Sequence, residues 1–165
     1  MALGKTHDKI NWVVGSLFTG SLVAFNVKLI FCFCYLIGWL FSTWFFSPDT
    51  DQRPKKRSGV LQFFLYPYSI ISKHRGLSHS LLWGTIYRIV YGLAVVAVFI
   101  YVLNQMGHIE TTLKDYLSFL MHFITHFSLS DEASLITLWF FFGLFMADAT
   151  HIVIDRFSSQ LKRIF

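Results

Sequence analysis

Long apolar runs alternate with short polar breaks along this chain. Ile10 to Asn26, Leu29 to Phe46 and Leu81 to Leu103 are apolar almost throughout, and each approaches the roughly 17–25 residues a helix needs to cross hydrocarbon. Leu135 to Ala147 is shorter, but its helical periodicity continues through His151 and Ile154. That pattern predicts one helix from Asp131 to Phe157, with Ser130 and Asp131 at its cap. Between these runs, Lys114 to Phe127 is apolar but punctuated by Asp115, His122 and His126; it is short for a span and reads as an interfacial or partly buried helix. The predicted fold class is all-α: a polytopic membrane protein with about four transmembrane helices plus one short interfacial or partly buried helix. No internal repeat or low-complexity linker interrupts the chain, so residues 1–165 read as a single integral-membrane domain. The charged start followed by an apolar run has the outline of a secretion signal. No small-residue cleavage pattern follows it, so the first span reads as retained.

Composition supports lipid as part of the solvent. Of 165 residues, 55% are hydrophobic, 19% aromatic and 14% charged, and mean hydropathy is +0.54. A water-soluble domain of this size would leave much of that apolar surface exposed. A disordered tail, a disulfide-stapled secreted scaffold and an ordinary basic nucleic-acid domain are excluded, and no nucleic-acid partner is expected. Cys32 and Cys34, two residues apart on a helix, point to different sides and are not expected to pair.

The net charge of +5 matters through its location. If the first two spans form a hairpin turning at Val27 and Lys28, and the last two form another, then the N-terminus, Ser47 to Ser80 and Asp148 to Phe165 share one side. Eleven of the fourteen Lys and Arg fall there, which the positive-inside rule assigns to the cytoplasm. The expected location is thus the inner (plasma) membrane with both termini cytoplasmic. Lys28 and Lys114 lie opposite, and Arg88, inside the third span, is expected to snorkel toward cytoplasmic headgroups.

Acids and histidines gather on that same side: Thr6-His7-Asp8 with Asn11, Ser47 to Asp51 (SPDTD), His74 to Ser80 (HRGLSHS) and Asp148 to Asp155 (DATHIVID). Asp148, His151 and Asp155 are spaced to stack on one helical face, and His7 and Asn11 share another. Pro48 ends the second helix, Gly76 permits a turn, and Ser78 is placed to cap the third helix with His79 in its first turn. Crowded carboxylates at a membrane edge require a cation. Asp49, Asp51, Asp148 and Asp155 with His7, His74, His79 and His151 make eight metal ligands, enough for two divalent ions and conceivably a third. An imidazole and carboxylate set without thiolate favours zinc, with manganese or iron as alternatives. His122 and His126 also have chelating spacing, but lie opposite with no acid cluster and read as structural; His108 reads as a loop residue.

The order GKTHDKI, SPDTD followed by DQRPKKR, HRGLSHS, and HIVID with RFSSQLKR resembles a family of small bacterial integral-membrane metal-binding proteins. It is also similar to the wider LexA-binding, inner-membrane-associated (YdjM-type) hydrolase family. The resemblance implies that His7, Asp49, Asp51, His74, His79, His151 and Asp155 bind metal. A weaker likeness to helical zinc phosphoesterases rests on His151 and Asp155 alone, as their His-x-x-x-Asp element. The Arg-Pro and Pro-Ser-Gly-His elements of histidine-dependent lipid phosphatases are absent.

The function expected is a membrane-embedded, metal-dependent hydrolase cleaving a phosphoester, of a lipid or a membrane-associated metabolite, at the cytoplasmic face. Arg75 and Asp8 are the candidate catalytic residues: Arg75 grips the anionic oxygen, and Asp8, with Asn11, orients His7. Lys55, Lys56 and Arg57 would recruit anionic headgroups, so membrane lipids are the expected partners, with a homo-oligomer allowed. Two rivals are kept. One is a non-catalytic protein with a structural metal site. The other is a divalent-cation transporter, disfavoured because Trp12 to Phe25, Leu29 to Phe46 and Ile89 to Leu103 contain no acid and no His.

Overall fold

A computed structural model of the chain describes residues 4–45, 61–71 and 80–164. Among these residues the fold is all-α, with six helices: α1 (Gly4–Ala24), α2 (Leu29–Trp44), α3 (Leu61–Ile71), α4 (Leu81–Gln105), α5 (Leu113–Thr125) and α6 (Glu132–Ile164).

Helix ends follow local chemistry. α1 stops in a Schellman turn: Asn26, at φ 58°, occupies the left-handed region that Asn tolerates better than most residues, Val27 N donates to Leu22 O and Asn26 N to Val23 O. α4 closes the same way at Gly107, at φ 72°, where His108 N donates to Leu103 O, so His108 completes a cap. At the start of α6, Asp131 Oδ2 accepts from Ser134 N at 2.8 Å, the capping role expected of it. Thr112 and Asp115 form a reciprocal capping box on α5. At α4, Ser80 takes the N-cap position, and Ser78 lies outside the described residues.

Side-chain contacts set the directions. α1 and α2 are antiparallel, since Trp12 meets Trp44 and Phe18 meets Trp39. α2 and α6 run parallel, with Lys28 beside Glu132, Phe31 beside Trp139 and Ser42 beside Asp148. α4 returns antiparallel to α6, so that Thr85 and Arg88 near its start reach Asp148. α3 lies antiparallel along α4, pairing Phe64 with Phe99 and Tyr68 with Tyr87. The start of α1, the end of α2, the start of α4 and the C-terminal half of α6 therefore occupy one end of the bundle.

The α2–α6 crossing holds this arrangement. A Cβ added at Gly38 would fall 2.0 Å from Phe140 O, and one at Gly143 would fall 2.0 Å from Tyr35 O. Two glycines thus face each other's neighbouring backbone, the small-residue packing that lets two helix backbones approach closely. Tyr35, Trp39 and Ala147 form the buried core, with Val14, Leu22, Trp139 and Met146 packed on it. Gly15 makes room for the Trp39 indole, whose Nε1 donates to Asn11 O at 3.0 Å.

Four transmembrane helices are not supported. Two described helices are long and apolar enough to cross a bilayer, over Leu82–Gln105 and Glu132–Ser158. α2 has 16 residues, about 24 Å of helix against a core of about 30 Å. α1 is longer, but Lys5, His7, Asp8, Lys9 and Asn11 occupy its first turns, leaving about 20 Å of apolar helix from Trp12 to Ala24. α3 is not anticipated by the pattern of the chain, because Pro67 stands inside its short apolar run. α6, with 33 residues, runs past the predicted end at Phe157. α5 has no buried residue, with only Tyr116, Leu120 and Phe123 partly covered, and Cys32 and Cys34 are free thiols.

Candidate metal centre

Asp148 sits at the junction of three helices and is completely buried. Ser42 from α2 donates to Oδ1 at 2.6 Å; Thr85 from α4 donates to Oδ2 at 2.6 Å; Arg88 Nη2 donates to the same Oδ2 at 2.5 Å. A buried carboxylate in this position needs a countercharge and several donors, and it has both from protein. Two sequence expectations change in consequence. Arg88 does not snorkel to headgroups: its guanidinium is 1% exposed and turns inward to Asp148. The premise that Asp148 needs a metal for charge balance fails as well, because Arg88 neutralises it. Ser42, Thr85 and Arg88 were not among the expected site residues. A usable signal existed: a cation two turns inside a span demands an acid at its own depth, and Asp148 is the acid that the apolar part of the last helix supplies.

One turn further along α6, His151 is buried, and its Nε2 lies 3.7 Å from Oδ2 of Asp155, whose side chain is 26% exposed. The separation is too long for a hydrogen bond. It is close to the spacing of two ligands on one ion: donors at about 2.0–2.1 Å in tetrahedral array stand about 3.3 Å apart. His151 and Asp155 therefore fit a divalent ion as adjacent ligands. Among the described residues no group of three or more His, Cys, Asp or Glu comes together in this way.

The other expected contributors divide into two groups. His7 and Asp8 lie on the backbone of α1, one turn before Asn11, at the same end of the bundle as His151. Asn11 is 2% exposed, and its Oδ1 has no hydrogen-bond partner, an acceptor left over at that end. Asp49, Asp51, His74, Arg75 and His79, with the basic run Arg53 to Arg57, lie outside the described residues.

No solved structure matches the chain. An uncharacterized protein of Aquifex aeolicus (strain VF5) is 36% identical over 132 residues, which cover 77% of this chain and 91% of that protein. The model of one protein family matches residues 2–165, essentially the full length. A His and an Asp held at ligand spacing, with a buried acceptor at the same end of the bundle, thus stand in a chain that belongs to the family described as uncharacterized metal-binding protein (DUF2227).

Proposed function

We propose that this protein is a membrane-embedded, metal-dependent hydrolase acting on a phosphoester at the membrane surface. The observation that carries this reading is the His151–Asp155 pair at the end of the bundle where α1, α2 and α4 also bring their polar termini. His151 and Asp155 hold the ion, joined by His7 and by Asp49, Asp51, His74 and His79 from the segments that flank α2 and α4. Zinc is the preferred metal, in a two-ion site. When bound, such an ion lowers the pKa of water and polarises a phosphoryl oxygen. Asp148 is not carried into the ligand set; it positions α6 through Ser42, Thr85 and Arg88, and so fixes His151 one turn away. Asn11 and Asp8 orient His7, and Arg75 grips the substrate anion. A purely structural metal finds less support, because the Asp148 cluster already ties α2, α4 and α6 together without one.

Apolar side chains line the outside of α4, Trp83, Val90, Val98 and Phe99 among them, which supports lipid around the bundle. The cytoplasmic inner leaflet, with anionic headgroups as partners, is the proposed setting.

The test is hydrolysis of a panel of phosphomonoesters, phosphodiesters and phospholipids by zinc-loaded protein in nanodiscs, with and without chelator. Chelator-sensitive turnover that falls about 10²-fold in His151→Ala supports the reading. Absence of turnover across the panel by metal-loaded, folded protein overturns it.

A further inference from the structure

α5 is capped at both ends but little covered along its sides. The Thr112–Asp115 capping box closes its start, and His126 N donates to His122 O at its end, yet the helix buries no residue. Its side chains fall into three sectors around the helical period of 3.6 residues. Tyr116, Leu120 and Phe123 are partly covered and face the bundle. Leu113, Leu117, Met121 and Ile124 form a neighbouring apolar sector, in which the last three are 50%, 60% and 68% exposed. Lys114, Asp115, Ser118, His122 and Thr125 fill the polar sector, and Phe119 is the one apolar residue of α5 outside this division.

Contacts fix where the exposed apolar sector lies. Tyr116 Oη donates to Leu93 O at 3.1 Å, and Leu93 stands about 18 Å before the end of α4 at Gln105. α5 therefore starts beside α4 rather than beyond its end. After α5, Ser128 N donates to Ser134 Oγ, tying the chain to the first turn of α6, where exposed Lys28 and Glu132 pair at 3.4 Å. That exposed ion pair marks a level at which charge meets water, and His151 lies about 28 Å further along α6. α5 thus occupies the end of the bundle remote from His151, against the flank of a helix long and apolar enough to cross a bilayer. Val96, Val98 and Val102 stand exposed along that part of α4, so the medium that covers them reaches α5.

We propose that α5 is a membrane-surface anchor, lying in the plane of the leaflet opposite the His151 centre, with Leu117, Met121 and Ile124 among the acyl chains and Lys114, Ser118 and His122 at the headgroups. An amphipathic helix so placed sinks about 5–10 Å into the headgroup boundary. Within α5 the formal charges of Lys114 and Asp115 cancel. Its hold therefore rests on apolar area, and the lipid it fits is zwitterionic rather than anionic. Because α5 runs into α6 through a short connection, it sets the depth at which that helix enters the bilayer. The proposal shares only the membrane setting with the hydrolase reading and requires neither metal nor turnover.

The experiment uses full-length C32A/C34A protein in phosphatidylcholine nanodiscs. Spin labels are attached to the single variants Leu117→Cys, Met121→Cys, Ile124→Cys, Ser118→Cys and His122→Cys, with Val98→Cys on α4 as the lipid reference and helical content checked in each. Power-saturation electron paramagnetic resonance with oxygen, which partitions into lipid, and a water-soluble nickel chelate reads the depth of each label. Labels at 117, 121 and 124 are expected about 5–10 Å below the phosphates, and labels at 118 and 122 at or above them. Adding anionic lipid should leave these depths unchanged. The proposal is overturned if 117, 121 and 124 are as open to nickel as 118 while the reference stays in lipid, or if 118 and 122 are as deep as the other three. It is also overturned if unlabelled Met121→Cys links two copies by a disulfide in discs holding more than one chain, which would make a second copy the occupant. A reference label open to nickel would instead overturn the membrane setting itself, so failure of the anchor is distinguishable from failure of the hydrolase reading.

Discussion

Replacing Gly143 by Ala tests the helix crossing on which the site depends. The added Cβ falls 2.0 Å from Tyr35 O, a backbone atom that cannot swing away, whereas ordinary contact begins at 3.4 Å. The backbones of α2 and α6 must therefore part by about 1.4 Å, an overpacking cost of about 1–3 kcal/mol. Parting them also stretches the 2.6 Å Ser42–Asp148 hydrogen bond past useful length, which costs about 1.5–3 kcal/mol for a bond to a charged group. The intrinsic helical preference for Ala over Gly offsets about 1 kcal/mol. A net loss of about 2–4 kcal/mol is expected, and a similar one for Gly38→Ala, whose Cβ meets Phe140 O. Gly20, on α1 with nothing within 4 Å of its Cβ position, is the internal control; Gly20→Ala should stabilise by about 0.5–1 kcal/mol. Reversible unfolding in mixed micelles, followed by far-UV circular dichroism, reads all three. If Gly143→Ala is as stable as the wild type, the close crossing does not hold the bundle.

Three further outcomes follow from particular contacts. Arg88→Met leaves the Asp148 carboxylate buried and uncompensated, so unfolding measurements should show a loss of about 3–5 kcal/mol, most of it recovered in the double variant R88M/D148L; an additive double variant would refute the pair. Asn26→Gly relieves the left-handed strain at the end of α1 and should raise stability by about 0.5–1 kcal/mol in the same assay, whereas Gly107→Ala should lower it by about 1–2 kcal/mol. Bonds from the Thr112 hydroxyl and then the Thr112 backbone hold the Asp115 carboxyl below its ordinary 3.8, so its stabilisation of α5 is complete above that pH and is lost as pH falls through the lower folded value. Carboxyl-carbon NMR should show Asp115 titrating below 3.8 in the wild type and moving upward in Thr112→Ala; an unchanged midpoint would refute the cap's role.

Much of the fold is legible where one chemical force dominates. The apolar run Leu81 to Leu103 marks α4, Asp131 marks the start of α6, and the amphipathic stretch with His122 and His126 marks α5, because length, capping and periodicity act locally. Counting apolar residues fails at α1 and α2, where polar first turns and a helix of 16 residues leave too little length to span. α3 is hidden by Pro67, since local propensity is overridden there by packing of Tyr68 on Tyr87 and Tyr91. Within the site, the i, i+3, i+7 spacing correctly stacks Asp148, His151 and Asp155 on one face, but spacing along one helix does not reveal what faces it. Ser42 and Arg88 come from helices far away in sequence, and their pairing with Asp148 separates that residue from the two that remain at ligand distance.

Metal content of the purified chain tests the central claim most directly. Full-length, tag-free protein is equilibrated with zinc, freed of unbound ion and analysed for metal per chain, as the parent chain and with His151→Ala and Asp155→Ala added. Bound zinc in the parent and its loss in the added variants, with helical content preserved, is the result predicted. Equal zinc in all of them, or none in the parent, would contradict a metal centre at His151 and Asp155.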